Sequence, residues 1–259
     1  MATALIGGLL QQGLKPGDLR VVEVSEEARA RLQQQFGISA VAAIDQEISE
    51  DAVLLAVKPQ QMRAAAKALR VSLKGQLVIS IAAGIRTADL ARWLGGHERI
   101  VRVMPNTPAL IRAGVSGMYA GAAIKQADRD NTQNILGAVG GVVWVRDEAD
   151  IDAVTAISGS GPAYVFYFIE ALEQAAVELG LTDVQAHDLA VQTFVGASKL
   201  AAGSAEPAAV LRARVTSRAG TTEAALSAME ASDVKRRIMD AARAAARRSK
   251  ELGDEFGRD

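Results

Sequence analysis

The chain has 259 residues, of which 49% are hydrophobic and 23% charged, with a net charge of −1 and no cysteine. This is the composition of a globular protein, and it excludes a disordered chain, a general polyanion binder and a disulfide or thiolate framework. Only His97 and His187 are available as imidazole ligands, and no apolar run approaches the ~18 residues of a membrane span. We therefore expect a cytoplasmic protein without a metal site, a membrane segment or a nucleic-acid partner.

The opening stretch, MATALIGGLLQQG, has apolar residues at helical spacing. Gly7 and Gly8 permit close packing, and Gly13 stands where a glycine commonly ends a helix. Cytosolic α/β proteins usually begin with a strand, so this chain is predicted to begin inside a helix.

Strands and helices then alternate as far as residue 148, which predicts a doubly wound parallel sheet in the α/β class. The predicted strands are LRVVEVS, AVLLAVKP, QLVISIAAG, RIVRVMP and GVVWVRD. The predicted helices are EEARARLQQQFG, closed by Gly37, then QQMRAAAKALRVSL, and then TADLARWLGG with Thr87 as N-cap. Residues 149–259 are helical in period throughout and rich in Ala and Leu, which predicts an all-helical second domain.

Three segments follow predicted strands of the sheet: AVKPQ (residues 56–60), SIAAG (80–84) and VMPNTP (103–108). Ligands of open parallel sheets bind outside the carboxyl ends of the strands, so these exits favour a nucleotide crevice over ordinary turns. The two prolines of MPNTP hold Asn106 rigidly. Its carboxamide is expected to bond a ligand, a neighbouring loop or the protein's own turn.

Two further segments lie at predicted helix entries. In AISGSGPAYVF, residues 158–161 precede a proline that suits a first helical turn, and they form either an anion site or a tight kink between helices. In VTSRAGTTEAAL, Ser217, Gly220, Thr221 and Thr222 form either a carboxylate cradle or an ordinary cap by one of the threonines.

Taken in order, AVKPQ, VISIAAG, RVMPNTPA, SGSGPAYVF and TSRAGTTEAAL closely resemble the pyrroline-5-carboxylate reductases. The resemblance implies NAD(P)H-dependent reduction of a cyclic imine to L-proline, the last step of proline synthesis. It also implies a Rossmann-type domain at residues 1–148 and a helical dimerisation and substrate-binding domain at 149–259. The expected assembly is a homodimer through the C-terminal helices, and a larger ring such as a decamer stays open.

The resemblance also implies site residues. For the cofactor, NADPH or NADH, these are Ala56, Val57, Lys58, Pro59, Ala83 and Asn106, the last near the nicotinamide. For the substrate they are Ser217, Gly220, Thr221 and Thr222, with Ser158 in the turn beside that pocket. Many members of the family have Ser-Pro-Gly-Gly-Thr-Thr where this chain has residues 217–222 as Ser-Arg-Ala-Gly-Thr-Thr.

Hydride transfer to an imine demands orientation above all, because the cofactor carries the reactivity. We therefore assign Thr222 the role of bonding the ring nitrogen as it becomes an amine. Glu23 lies near the end of LRVVEVS, where a carboxylate favours NADH by bonding a ribose hydroxyl, whereas Arg29 would equally neutralise a 2′-phosphate.

Two rival functions stay open. One is a related imine or β-hydroxyacid reductase, which the absence of a lysine from AISGSGPAYVF disfavours. The other is a catalytically silent dimer with a shortened start, since a strand and a Gly-x-Gly-Asn loop, about a dozen residues, precede this stretch in the family. For the chain as written we expect weak cofactor affinity and lowered stability, with VVEVS and LLAVK facing a gap in the sheet.

Overall fold

A computed structural model describes residues 1–44 and 48–258 and divides the chain into two compact units. The first unit comprises Met1–Ser160 with Ala245–Asp259, and the second comprises Gly161–Ala244. The boundary thus falls later than the one predicted at residue 148, and the C-terminal residues belong to the first unit. Long-range packing of the chain end against the first unit decides this assignment, and local periodicity carries no sign of it.

The first unit is built on a five-stranded sheet in the order β1-β2-β3-β4-β5. The strands are β1 (Ala52–Leu55), β2 (Leu77–Ser80), β3 (Ile100–Met104), β4 (Gly114–Ala120) and β5 (Gly140–Trp144). Three neighbouring pairs are parallel, and β3 pairs antiparallel with β4. The predicted α/β class and parallel sheet are therefore confirmed, with one exception. The sequence prediction missed β4, which returns beside β3 after the short 3₁₀ turn Thr107–Ile111 without a crossover helix.

The helices of this unit are α1 (Ala2–Gln11), α2 (Glu26–Phe36), α3 (Pro59–Leu69), α4 (Thr87–Trp93), α5 (Gln126–Gly137) and α6 (Asp150–Val154). The predicted opening helix is confirmed as α1. It ends at Gln11, and Gly13 follows two residues later with a left-handed φ of 102°. The amides of Gly13 and Leu14 donate to the carbonyls of Leu10 and Leu9. Gly8 provides the predicted close approach, because a Cβ there would lie 2.5 Å from the carbonyl oxygen of Ala138.

The prediction that LRVVEVS forms a strand of the sheet is wrong. Its one pairing is an isolated parallel bridge between Val22 and Val41, and Val24 is 79% exposed. Among the described residues β1 is the edge strand of the sheet, so this segment has no neighbouring strand beyond Val41. A β-branched run without a neighbouring strand to pair with cannot build a ladder, whatever its propensity.

The core lies on both faces of β2. Val78 packs on one face with Met62 and Leu69 of α3, while Leu77 and Ile79 pack on the other face with residues of α1 and β3. All four residues of β2 are buried. This confirms the predicted strand QLVISIAAG, whose continuous apolar run is typical of a strand buried on both faces.

The second unit is helical, as predicted. It holds α7 (Gly161–Glu178), α8 (Asp183–Ala202), α9 (Ala208–Arg214) and α10 (Thr221–Ala231), and α11 (Val234–Phe256) begins in it and ends in the first unit. Large apolar side chains are exposed along these helices, for example Phe166 at 64% and Leu200 at 73%. Among the described residues, no helix has the length and apolar character needed to cross a bilayer.

Candidate functional site

The carboxyl ends of β1, β2 and β3 lie at one edge of the sheet. The three strands are parallel and in register, with Leu55 opposite Ser80 and Ser80 opposite Arg102. The segments 56–60, 80–84 and 103–108 therefore leave the sheet side by side, as expected. An edge of this kind is where an open α/β sheet binds its ligand.

The exit after β1 leads directly into α3. Ala56, Val57 and Pro59 are half-buried, and Lys58 is exposed at the N-cap position of the helix with no side-chain partner among the described residues. An unpaired ammonium group beside a helix N-terminus is suited to a phosphate group, because both attract negative charge.

The exit after β2 is anchored where α4 begins. Thr87 is the first residue of α4 and does not cap it, so the predicted N-cap is wrong. The Thr87 amide and hydroxyl instead donate to the two carboxylate oxygens of Glu148, at 2.7 Å and 2.8 Å. Arg102 of β3, only 4% exposed, donates to the same carboxylate at 3.1 Å.

Glu148 thus satisfies one of the free backbone amides at the start of a helix that lies far from it in the chain. Ala83, which the sequence places in the cofactor site, lies half-buried in the segment between β2 and this anchor. The sequence reasoning missed Glu148, since nothing local to EADID indicates a partner at residue 87.

Asn106 stands at the exit after β3 with its carboxamide engaged twice. The Oδ1 atom accepts from the amide of Val115 in β4 at 2.9 Å, and Nδ2 donates to the carbonyl of Ser158 at 3.1 Å. Asn106 therefore bonds neighbouring segments of the protein, as one of the three expectations held, and its carboxamide does not bond its own turn. One amide hydrogen is left for a ligand.

Ser158 lies in a π-helical turn, Thr155–Gly159, between α6 and α7. A Cβ on Gly159 would lie 2.5 Å from the terminal methyl carbon of Met104, so the glycine permits close packing at the end of β3. The close packing expected of a glycine between the two helices is therefore present, and the anion site stays a prediction. Single π turns are frequent at functional sites because they redirect backbone groups, and here the redirected Ser158 carbonyl meets Asn106.

The segment at residues 217–222 lies in the second unit and leads into α10. Gly220 is the N-cap residue, so the alternative of a cap by Thr221 or Thr222 is wrong. Neither threonine hydroxyl has a hydrogen-bond partner among the described residues. Both hydroxyls are thus left for a ligand at the positive end of the helix dipole.

The turn before α10 has an unusual backbone. Ala219 has a φ of 57°, in the left-handed region, and its amide donates to the carboxylate of Glu223 at 2.6 Å. The Gly220 amide donates to the Ser217 carbonyl at 3.1 Å. The first of the family's two glycines would occupy the position of Ala219, so the chain keeps the left-handed conformation but replaces the residue best suited to it.

Glu23 and Arg29 lie together at the end of the 19–25 segment. One carboxylate oxygen of Glu23 accepts from the Ser25 amide at 2.8 Å. The Arg29 guanidinium donates to the carbonyls of Glu23 and Val24 at 2.8 Å and 2.9 Å. A carboxylate and a guanidinium thus stand at the same turn, and the geometry by itself selects neither of the two cofactor predictions.

No cluster of metal-ligating side chains occurs among residues 1–44 and 48–258. His187 bonds Glu173 at 2.7 Å on the helical unit, and the Nε2 atom of His97 is buried.

Two family profiles match the chain. Residues 148–252 match the family described as pyrroline-5-carboxylate reductase dimerisation, and residues 1–84 match NADP oxidoreductase, coenzyme F420-dependent.

Similar proteins cover nearly the whole chain. Pyrroline-5-carboxylate reductase of Pseudomonas aeruginosa is 45% identical over 259 residues, which is 99% of this chain and 95% of that protein. The enzyme of that name from Pisum sativum is 37% identical, over 97% of this chain and 92% of its own.

Solved structures agree with these relatives. A pyrroline-5-carboxylate reductase from Coxiella burnetii superposes with a TM-score of 0.90 at 36% identity, over 97% of this chain and 94% of that chain. The Plasmodium falciparum pyrroline carboxylate reductase with NADP bound gives 0.85 at 29% identity, over 97% and 94%.

Proposed function

The chain belongs to the pyrroline-5-carboxylate reductase family, and from this premise we propose that it reduces 1-pyrroline-5-carboxylate to L-proline with NADPH or NADH, the last step of proline biosynthesis. The observation that carries the proposal is the edge of the sheet where the exits of β1, β2 and β3 meet. It supplies a crevice of the kind that binds dinucleotides. The relatives and solved structures that cover nearly the full chain supply the reaction.

The residues at this edge fit a dinucleotide. Ala56 and Ala83 offer small side chains against which a flat ligand can lie, and the unpaired Lys58 ammonium suits a phosphate. We assign Ala56, Val57, Lys58, Pro59 and Ala83 to cofactor binding, with Glu23 at the adenosine ribose. The remaining amide hydrogen of Asn106 points to a hydrogen bond with the carboxamide end of the cofactor.

The bound nicotinamide supplies the hydride, so the protein has to orient the substrate and handle one proton. We propose that the α10 amides and the Ser217, Gly220 and Thr221 segment hold the substrate carboxylate. The unpartnered hydroxyl of Thr222 bonds the ring nitrogen as its positive charge is lost. We also assign Ser158 to substrate binding; its carbonyl accepts a hydrogen bond from Asn106.

A second copy of the chain is the proposed partner of the helical unit. No residue of α7, α9 or α10 is buried, although these helices carry large apolar side chains. The match of residues 148–252 to a dimerisation family supports covering them in a homodimer. Assembly of dimers into a decamer and a cytoplasmic location complete the proposal.

The decisive experiment follows NADPH and NADH oxidation with 1-pyrroline-5-carboxylate, beside a fluorescence titration of each cofactor. The proposal expects saturable oxidation, and Thr222→Ala is expected to lower kcat/KM about 10²-fold, as for a lost proton-handling group. A chain that binds cofactor but leaves this imine untouched would favour the related imine or β-hydroxyacid reductases. A chain that binds no cofactor would be the silent dimer.

A further inference from the structure

The last turns of α11 pack against the first unit through a single helical face. Ser249 and Gly253 are buried, and Phe256 packs against the hydrophobic cluster beneath α3 and α4. These positions are spaced by four and three residues, so they lie on one side of the helix. Their small and aromatic side chains let the helix approach closely.

The Phe256 ring covers the segment that follows β2. Gly84 is buried there with a φ of 73°, and a Cβ on it would lie 3.0 Å from Cδ2 of Phe256. The ring therefore lies directly on the glycine. Because Gly84 is held in a left-handed conformation without a side chain of its own, the ring is the packing that defines its position.

Polar contacts from α11 hold Arg86, two residues after Gly84. Arg86 donates from Nη2 to Oδ1 of Asp254 at 2.6 Å and to the carbonyl of Lys250 at 3.4 Å. Asp254 is exposed and Arg86 only half-buried, so this ion pair contributes less than the packing of the ring. Thr87 is fixed in turn by Glu148.

The same helical face also reaches α6. The Ser249 hydroxyl donates to Oδ1 of Asp152 at 2.7 Å. α6 leads into the π turn that carries Ser158. The end of α11 thus contacts both the segment that follows β2 and α6, the helix that precedes the π turn of Ser158.

We propose that Phe256 is a positioning residue for cofactor binding, which acts by holding residues 82–86 in the conformation that accepts the dinucleotide. The inference rests on the proposed function, because Ala83 lies in the segment that Phe256 covers from behind. Phe256 does not itself contact the ligand. Removing the Phe256 ring frees Gly84 to leave the left-handed conformation. The apparent Kd for the dinucleotide then equals the intrinsic Kd divided by the fraction of molecules in which residues 82–86 keep the binding conformation.

Three variants test this role. Phe256→Ala removes the ring, and Phe256→Leu restores apolar volume over Gly84. Phe36→Ala is the matched control, because Phe36 also packs on a glycine, Gly7, with the ideal Cβ 3.4 Å from its ring. All are compared as full-length protein at a temperature at which circular dichroism shows each to be folded.

The measurements are the NADPH Kd by fluorescence titration and amide hydrogen exchange of residues 82–86. We expect Phe256→Ala to raise the Kd about fivefold or more and to accelerate exchange in this segment, as for a conformation populated about one-fifth of the time. We expect Phe256→Leu and Phe36→Ala to stay within about twofold of wild type.

The proposal is overturned if Phe256→Ala binds NADPH as tightly as wild type, or if Phe36→Ala weakens binding equally. If wild type itself binds no NADPH, the proposed function fails. In that case amide hydrogen exchange still tests the positioning role. If the exchange rates of residues 82–86 are the same in Phe256→Ala as in wild type, the positioning role is overturned. If exchange is faster in that segment alone, the role is supported.

Discussion

Asp128 offers the sharpest test of what stabilises the first unit. Its side chain is 3% exposed at the start of α5, where one oxygen accepts from Nε of Arg99 at 3.1 Å and the other from the Lys125 amide at 3.1 Å. Arg99 also donates to the carbonyl of Gly75. The pair therefore joins α5 to the loop before β2.

Replacing Asp128 by Asn keeps the shape but removes the negative charge. The charge-assisted bonds from Arg99 contribute about 1.5–3 kcal/mol, and we expect a loss of about 2 kcal/mol because water recovers part of the half-exposed guanidinium's bonding. Asp147→Asn is the matched control. Its partner Arg146 is 92% exposed, so that variant is expected to lie within about 0.5 kcal/mol of wild type.

The stability difference should also depend on pH in a fixed direction. The hydrogen bonds from Arg99 lower the pKa of Asp128, and the bond from the Lys125 amide acts the same way, against the effect of burial. A lowered pKa means that the contribution is complete above the unfolded-state pKa of about 3.9 and is lost as the pH falls through the folded-state value.

Urea unfolding at pH 7 and at pH values below about 4 therefore measures the prediction directly. The gap between wild type and Asp128→Asn should narrow on acidification. Equal stability at pH 7, or a gap that widens in acid, would show that the ion pair does not stabilise the fold as reasoned.

Three further outcomes are expected. Ala219→Gly should stabilise the protein by about 0.5–1 kcal/mol, because the relief of left-handed strain in the folded state exceeds the entropy that glycine adds to the unfolded chain. Ala213→Gly in α9 should destabilise the protein by about as much, and thermal melts compare the two variants. Arg29→Ala should raise the KM for NADPH several-fold more than the KM for NADH if the guanidinium meets a 2′-phosphate, and equal changes would contradict that role. Gly159→Ala should lower kcat, because the added methyl displaces Met104 and the π turn, and an unchanged kcat in steady-state assays would refute this.

The central strands β2 and β3 could be predicted because they are buried on both faces, whereas β1, at the edge of the sheet, is mostly half-buried. The continuous apolar run of β2 has only one environment in which it is stable, so local composition is sufficient there. The LRVVEVS segment has equal propensity, but Val22 pairs only with Val41 and Val24 is exposed. Whether such a segment becomes a strand depends on neighbours that are remote in the chain.

The candidate site shows the same division. The order and spacing of AVKPQ, SIAAG, MPNTP and SGSGP, together with the residue types near residue 220, identify the family and the expected ligands, because local turn chemistry and a shared sheet edge follow from sequence. Tertiary structure alone decides that Asn106 bonds Val115 and Ser158, that Glu148 anchors Thr87, and that Phe256 covers Gly84. These contacts join residues far apart in the chain, and a hydrogen bond or packing contact between them leaves no periodic signal in the sequence.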